Sequence, residues 1–221
     1  MPDTLHILKV FVGGSGEGGN PLGVFLHAAG WPADRRQAIA ADLGFSETVF
    51  VSDLATASLS IHTPTVELPL AGHPLVGTSW LLASQGLGAD VLRPPAGEVP
   101  TWTADGRTWI RARPEWAPEF DLRQLASPEE VQAHPGAGPD SMLQVWSWMD
   151  DSTVRVRVFP TAVGVIEDEA TGAAALRLGE LLGRPVTIHQ GEASEILVRP
   201  GDDGTVAIGG RVDPVETREY R

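Results

Sequence analysis

The chain has 221 residues, 42% hydrophobic and 20% charged, the balance of a globular protein large enough for one big domain or two small ones. A formal charge of −13 argues against nucleic acid and anionic membrane as partners, since both demand a basic surface. The absence of cysteine excludes disulfides, thiolate metal sites and cysteine acid–base chemistry.

The start, Met1-Pro2-Asp3, has no basic n-region, and the apolar run after it is broken by Lys9, so no signal peptide is expected. No stretch approaches the roughly 20 apolar residues of a membrane span, and a cytoplasmic location is the expectation. Residues 6–12 read as a strand ended by a glycine tract, and 23–26 as its hairpin partner across a long loop. Residues 32–43 read as a helix, with Pro32 in the first turn, Ile39 and Leu43 on one face and Gly44 after the end. Residues 48–51 and 57–62 are strand-like. Pro64 and Pro69 make 63–70 a loop or an edge segment.

Residues 73–84 are small and apolar with little polar face, which describes a helix buried all round. Short strands follow at 97–99, 101–102 and 109–112, with Asp105-Gly106 as a hairpin turn. Residues 116–140 have no clear period and read as an inter-domain crossing, with one short helix at 127–133 begun by Ser127-Pro128-Glu129-Glu130. Strands at 143–149 and 154–159 lead to a second small, apolar helix at 173–182, closed by Gly183. Strands at 186–189, 195–198 and 205–208 complete the set. The order strands, buried helix, strands thus occurs twice, a duplication of architecture rather than of sequence.

Gly14-Ser15-Gly16-Glu17-Gly18-Gly19 matches the spacing of a dinucleotide fingerprint, but a strand follows it, so no helix start is available for a pyrophosphate. A flexible hairpin loop is the better reading. The six histidines show no metal-ligand spacing, and no G-x-S-x-G elbow marks a serine nucleophile, so neither a metal nor a cofactor is expected. Glu47, His73 and Asp168 stand near the mouths of the two buried helices. Each alone also reads as a solvated glutamate, a hydrogen-bonded histidine or a capping carboxylate. Together, beside helix starts that favour anions, they suit proton transfer next to a carboxylate.

Several ordered motifs carry a resemblance: Gly19-Asn20-Pro21, Ser46-Glu47-Thr48-Val49-Phe50-Val51, Thr63-Pro64 through Ala71-Gly72-His73-Pro74, Glu167-Asp168-Glu169-Ala170-Thr171-Gly172-Ala173, Gln190-Gly191 and Gly209-Gly210-Arg211. Together they resemble the phenazine-biosynthesis PhzF-like family, within the diaminopimelate-epimerase-like fold. The resemblance implies an α+β fold of two pseudo-symmetric domains, each a curved, mostly antiparallel sheet around a central buried helix. The expected division is 1–113 and 114–221, with the last strand able to return to the first domain. It implies a cofactor-independent isomerase acting on a small carboxylate-bearing metabolite, as a homodimer. Glu47, His73 and Asp168 fall on the family's catalytic positions, and Asn20, Gly72, Thr171, Gly172 and Ala173 on its substrate-binding ones. Glu169 departs from the family motif and sets a like charge beside Asp168, which tends to raise the latter's pKa. Ala173 also departs, and retains its backbone N–H. A metabolite-binding homologue without turnover is the alternative reading of the same cleft.

Overall fold

The computed structural model describes residues 3–221. Its first half begins with β1 (Asp3–Val12) and β2 (Gly18–Phe25), paired antiparallel. α1 (Ala33–Leu43) then covers the outer face, where Ile39 and Ala40 pack on Leu5, Phe25 and Phe50. Gly44, at φ 65°, ends α1 by donating its N–H to the Ala40 carbonyl. β3 (Glu47–Asp53) runs parallel to β2, and β4 (Ser58–His62) and the two-residue edge strand β5 (Glu67–Leu68) follow antiparallel. α2 (Gly72–Ser84) is buried over nearly all its length, as an apolar helix inside a curled sheet must be. β6 (Val91–Leu92), β7 (Val99–Ala104) and β8 (Arg107–Ala112) close the sheet around it.

The second half repeats the plan. β9 (Asp121–Gln124) and α3 (Pro128–Ala133) precede β10 (Leu143–Trp148) and β11 (Thr153–Phe159). α4 (Gly172–Leu182) is the second central helix, followed by β12 (Val186–Gln190), β13 (Ser194–Pro200) and β14 (Val206–Tyr220). The architecture is therefore α+β, two similar halves of curved, mostly antiparallel sheet around one buried helix each. A large shared core takes residues from both, including Leu75 and Val76 of α2 and Leu176 and Leu178 of α4.

β14 joins the halves. Residues 206–210 lie against β8, with 206–209 also against β13, while 211–220 pair antiparallel along the whole of β1. The sequence reading ended this strand at 208, because Gly209-Gly210 and Asp213-Pro214 interrupt the pattern. Gly209 and Gly210 nevertheless pair in register with Trp109 and Thr108 of β8, and a bulge at Val215, opposite Ile7/Leu8, takes up the irregularity beside Pro214. The glycine tract is also shorter as a loop than expected. Gly18 and Gly19 already belong to β2, leaving only 13–17 as the connection. No described helix is long and apolar enough to cross a membrane.

Candidate active site

The expected site residues arrive from four directions. Asn20 lies on β2 opposite Val10, and Glu47 opens the neighbouring β3. His73 occupies the first turn of α2. Asp168 is held beside β11, its N–H donating to the Val158 carbonyl at 3.0 Å. They meet where the starts of α2 and α4 abut. A β-carbon added to Gly172 would fall 2.6 Å from the Gly72 Cα and 2.7 Å from the His73 nitrogen, so both positions need glycine for this approach.

Neither helix start is capped by a side chain. Ala71 precedes α2 and has none to offer, while the Thr171 hydroxyl before α4 is turned to Asp168. The amides of the two first turns are thereby left as donors for a ligand.

Asn20 Nδ2 donates to Asp168 Oδ1 at 2.7 Å and to the Ala170 carbonyl at 2.9 Å, and Ser46 Oγ donates to Asn20 Oδ1 at 3.0 Å. The Thr171 hydroxyl donates to Asp168 Oδ2 at 2.6 Å. Gln190, fully buried, donates from Nε2 to the Asp168 carbonyl and the Thr171 hydroxyl and accepts the Thr171 N–H. Asn20 is thus engaged in holding Asp168. Ser46 and Gln190, which the sequence reading did not place in the site, complete the network. Gln190 stood in a matched motif, but nothing in its spacing showed what its amide would hold.

Glu47 Oε2 lies 3.4 Å from His73 Nδ1. Burial, then the nearby Asp168 carboxylate, push the Glu47 carboxyl up to about 8, with the Ser46 hydroxyl pulling weakly the other way. Burial also raises Asp168, to about 6, against the hydrogen bonds from Thr171, Asn20 and Ser46, and Glu169 adds a little to the rise. Burial lowers His73 to about 3, so the ring is neutral. The site therefore keeps a proton on Glu47 while Asp168 remains the acceptor of the hydrogen bonds donated by Asn20 and Thr171.

Glu169 turns away from the cleft. Its carboxylate accepts the Glu192 N–H and the Ser194 hydroxyl, and Ser194 Oγ in turn accepts the Gly19 N–H at 2.8 Å, which ties the two halves together.

Glu47, Asp168, Thr171 and Ala173 line a narrow cavity of about 30 Å³. Apart from Ser46 its remaining walls are apolar, among them Leu68, Leu70, Phe120, Met142 and Val163, and no lysine or arginine lines it. The Thr65 hydroxyl, from the first half, donates to the carbonyl of Val163 in the second at 3.1 Å. A wider depression outside Glu167 and Glu169 is more open, but its Arg155 and Arg157 are engaged by Gly191, Gln132, His134 and Glu167. Among the described residues no cluster of three or more His, Asp or Glu is placed to hold a metal.

Comparison with known proteins bears on the same region. The family model described as phenazine biosynthesis-like protein matches residues 10–138. A trans-2,3-dihydro-3-hydroxyanthranilate isomerase of Pseudomonas chlororaphis is 31% identical, over 81% of this chain and 80% of that one. The crystal structure of a PhzF-family phenazine biosynthesis protein from Bacillus anthracis superposes with a TM-score of 0.75 at 21% identity, covering 100% of this chain and 99% of that one. A hydroxyproline epimerase from Agrobacterium vitis, with trans-4-hydroxy-L-proline bound, shares the fold at a TM-score of 0.64 and 13% identity, over 98% and 91% of the two chains.

Proposed function

The chain belongs to the phenazine-biosynthesis-like family, and from that membership we propose that it is a cofactor-independent isomerase that moves a proton between two carbons of a small cyclic carboxylate. The observation that carries the reading is a raised glutamate, Glu47, facing an apolar cavity beside two uncapped helix starts.

The substrate carboxylate is received by backbone N–H groups at the starts of α2 and α4, which suit an anion where no cationic side chain lines the cavity. Ionised Glu47 takes a proton from a ring carbon next to a double bond. The C–H electron pair moves into the ring, the double bond shifts, and Glu47 returns the same proton to the carbon at the far end. Composition and oxidation level are unchanged, so the step needs no electron carrier. A carboxyl titrating near 8 serves as both base and acid more evenly than one at an ordinary value. His73 is neutral and sets its Nδ1 3.4 Å from Glu47 Oε2, close enough to orient it without adding a charge. Asp168 fixes the other side of the cavity, held by Asn20 and Thr171.

The test uses the compound named by the relatives, trans-2,3-dihydro-3-hydroxyanthranilate, incubated with the protein in heavy water. Shift of the double bond, with deuterium gained at one carbon to the extent that Glu47 exchanges with solvent, supports the reading. Tight binding without any isomerisation or exchange, for this and related cyclic dienes, would instead establish a binding protein. The homodimer rests on the resemblance, and light scattering of the purified protein checks it.

A further inference from the structure

The glycine tract at 13–19 has no part in the proposed reaction, yet its backbone lies directly against the second half. A β-carbon added to Gly18 would fall 2.6 Å from the Ala193 carbonyl carbon and 2.7 Å from the Ser194 nitrogen, and one at Gly13 would collide with the Ala193 carbonyl oxygen. The tract is therefore docked on the turn between β12 and β13. Backbone packed this closely on backbone has no side chain to yield, so the contact fixes one half against the other.

Two polar links cross between the halves beside this contact. Gly19 donates its N–H to Ser194 Oγ at 2.8 Å, and the Ser194 hydroxyl donates to Glu169 Oε1 at 2.7 Å. The same Glu169 oxygen accepts the Glu192 N–H at 3.1 Å. One residue along, Asn20 donates to Asp168 Oδ1 at 2.7 Å. Adjacent residues of the first half, Gly19 and Asn20, are thus held by adjacent residues of the second, Glu169 through Ser194 and Asp168 directly. Ser194 is 1% exposed and Asn20 2%, so water does not compete for either link. A slip of about 1 Å between the halves would carry the Asn20–Asp168 bond past hydrogen-bonding length. We infer that Glu169 and Ser194 are positioning residues, which clasp the glycine tract to the β12–β13 turn and so set Asn20 against Asp168. Glu169 thereby does through Ser194 what its own carboxylate, turned from the cleft, cannot do by touching the substrate.

The role rests on the proposed site. Its test compares Ser194→Ala, which removes the linking hydroxyl, with Glu169→Gln, which removes the charge and keeps the oxygen that accepts both hydrogen bonds. The readouts are the isomerisation kinetics and, without substrate, the side-chain amide resonances of Asn20. For Ser194→Ala the expected result is a kcat about tenfold lower with KM changed by less than about twofold, the mark of a misplaced group rather than a lost contact. The Asn20 amide proton moves upfield as its bond to the carboxylate lengthens. Glu169→Gln is expected to keep both kcat and the resonance close to the wild type. Should Ser194→Ala not fold, Glu169→Ala, at a partly buried side chain, replaces it with the same expected result. An Asn20 resonance unmoved in the alanine variant overturns the inference. So does a loss in Glu169→Gln as large as in the alanine variant, which would make the charge, and not the clasp, the operative feature. A wild-type protein that turns over no substrate overturns the proposed reaction alone, and the Asn20 resonance then decides the clasp by itself.

Discussion

Glu47 owes its chemistry to position rather than to residue type. Opening β3 at the edge of the cavity, it keeps 12% of its side chain exposed while burial and Asp168 oppose its charge. Glu47→Gln preserves shape and removes the titrating group, so turnover is expected to fall by roughly 10² to 10⁴, measured as isomerisation rate on the relatives' substrate. Unchanged turnover in the amide variant would take Glu47 out of the mechanism. Asn20 makes a different case. Its side-chain nitrogen already serves Asp168 and Ala170, so Asn20→Leu leaves Asp168 short of a donor and its carboxylate costlier to ionise. The expected result is a much lower kcat with a smaller change in KM, and kinetics identical to the wild type would contradict the positioning role. At this scale Glu47, His73, Asp168 and Asn20 were legible because each sits in a motif with a known order. Ser46 and Gln190 were not, because a hydroxyl and an amide acquire meaning only from the partners that folding brings to them. Glu169 was legible only in part: its like charge does raise Asp168, but nothing in the sequence showed its carboxylate turned to Glu192 and Ser194.

The two central helices meet through glycine, and that contact sets the spacing of the two anion-facing helix starts. Adding one methyl at Gly172 drives it into the backbone of Gly72 and His73, which have no side-chain freedom to yield. Gly172→Ala is expected to cost about 1–3 kcal/mol, read in denaturant unfolding, and to weaken carboxylate binding as the helix starts are pushed apart. A variant that unfolds and binds as the wild type does would mean that the helices do not touch at this point. Both central helices were readable from composition: α2 has no polar face to offer solvent, and α4 begins with a run of small apolar residues, although Arg177, Glu180 and Leu181 give its far end a solvent side. β14 beyond 208 was not. Its glycines and Pro214 argue locally for a break, and only the length of β1 available as a partner makes 15 residues of strand the better arrangement. Pairing over such a sequence distance leaves no local trace, which is also why β6 and β9, short strands at the margins, went unseen.

For the molecule as a whole, the buried site makes stability depend on pH in a way its surface charge does not. His73 has a folded value near 3 against 6.5 when free, so the folded state resists its protonation. That contribution is complete above 6.5 and is lost as pH falls toward 3. Asp168 and Glu47 act with the opposite sign. Both are raised, from 3.8 to about 6 and from 4.5 to about 8, so their contributions are complete at low pH and are lost as pH rises through those values. Below 6.5 the histidine and the carboxyls oppose one another. Between 6.5 and 8 only Glu47 of the three is still protonated when folded and ionised when unfolded. The unfolding free energy of the wild type is therefore expected to decline across that window, by at most about 1.4 kcal/mol per pH unit for one proton. Glu47→Gln has no such proton and should give a profile nearly flat over the same range. Urea unfolding of both proteins at several pH values between 6.5 and 8 measures the difference directly. If the two profiles run parallel, Glu47 ionises as a surface carboxylate does, and it lacks the poise required to return the proton it takes.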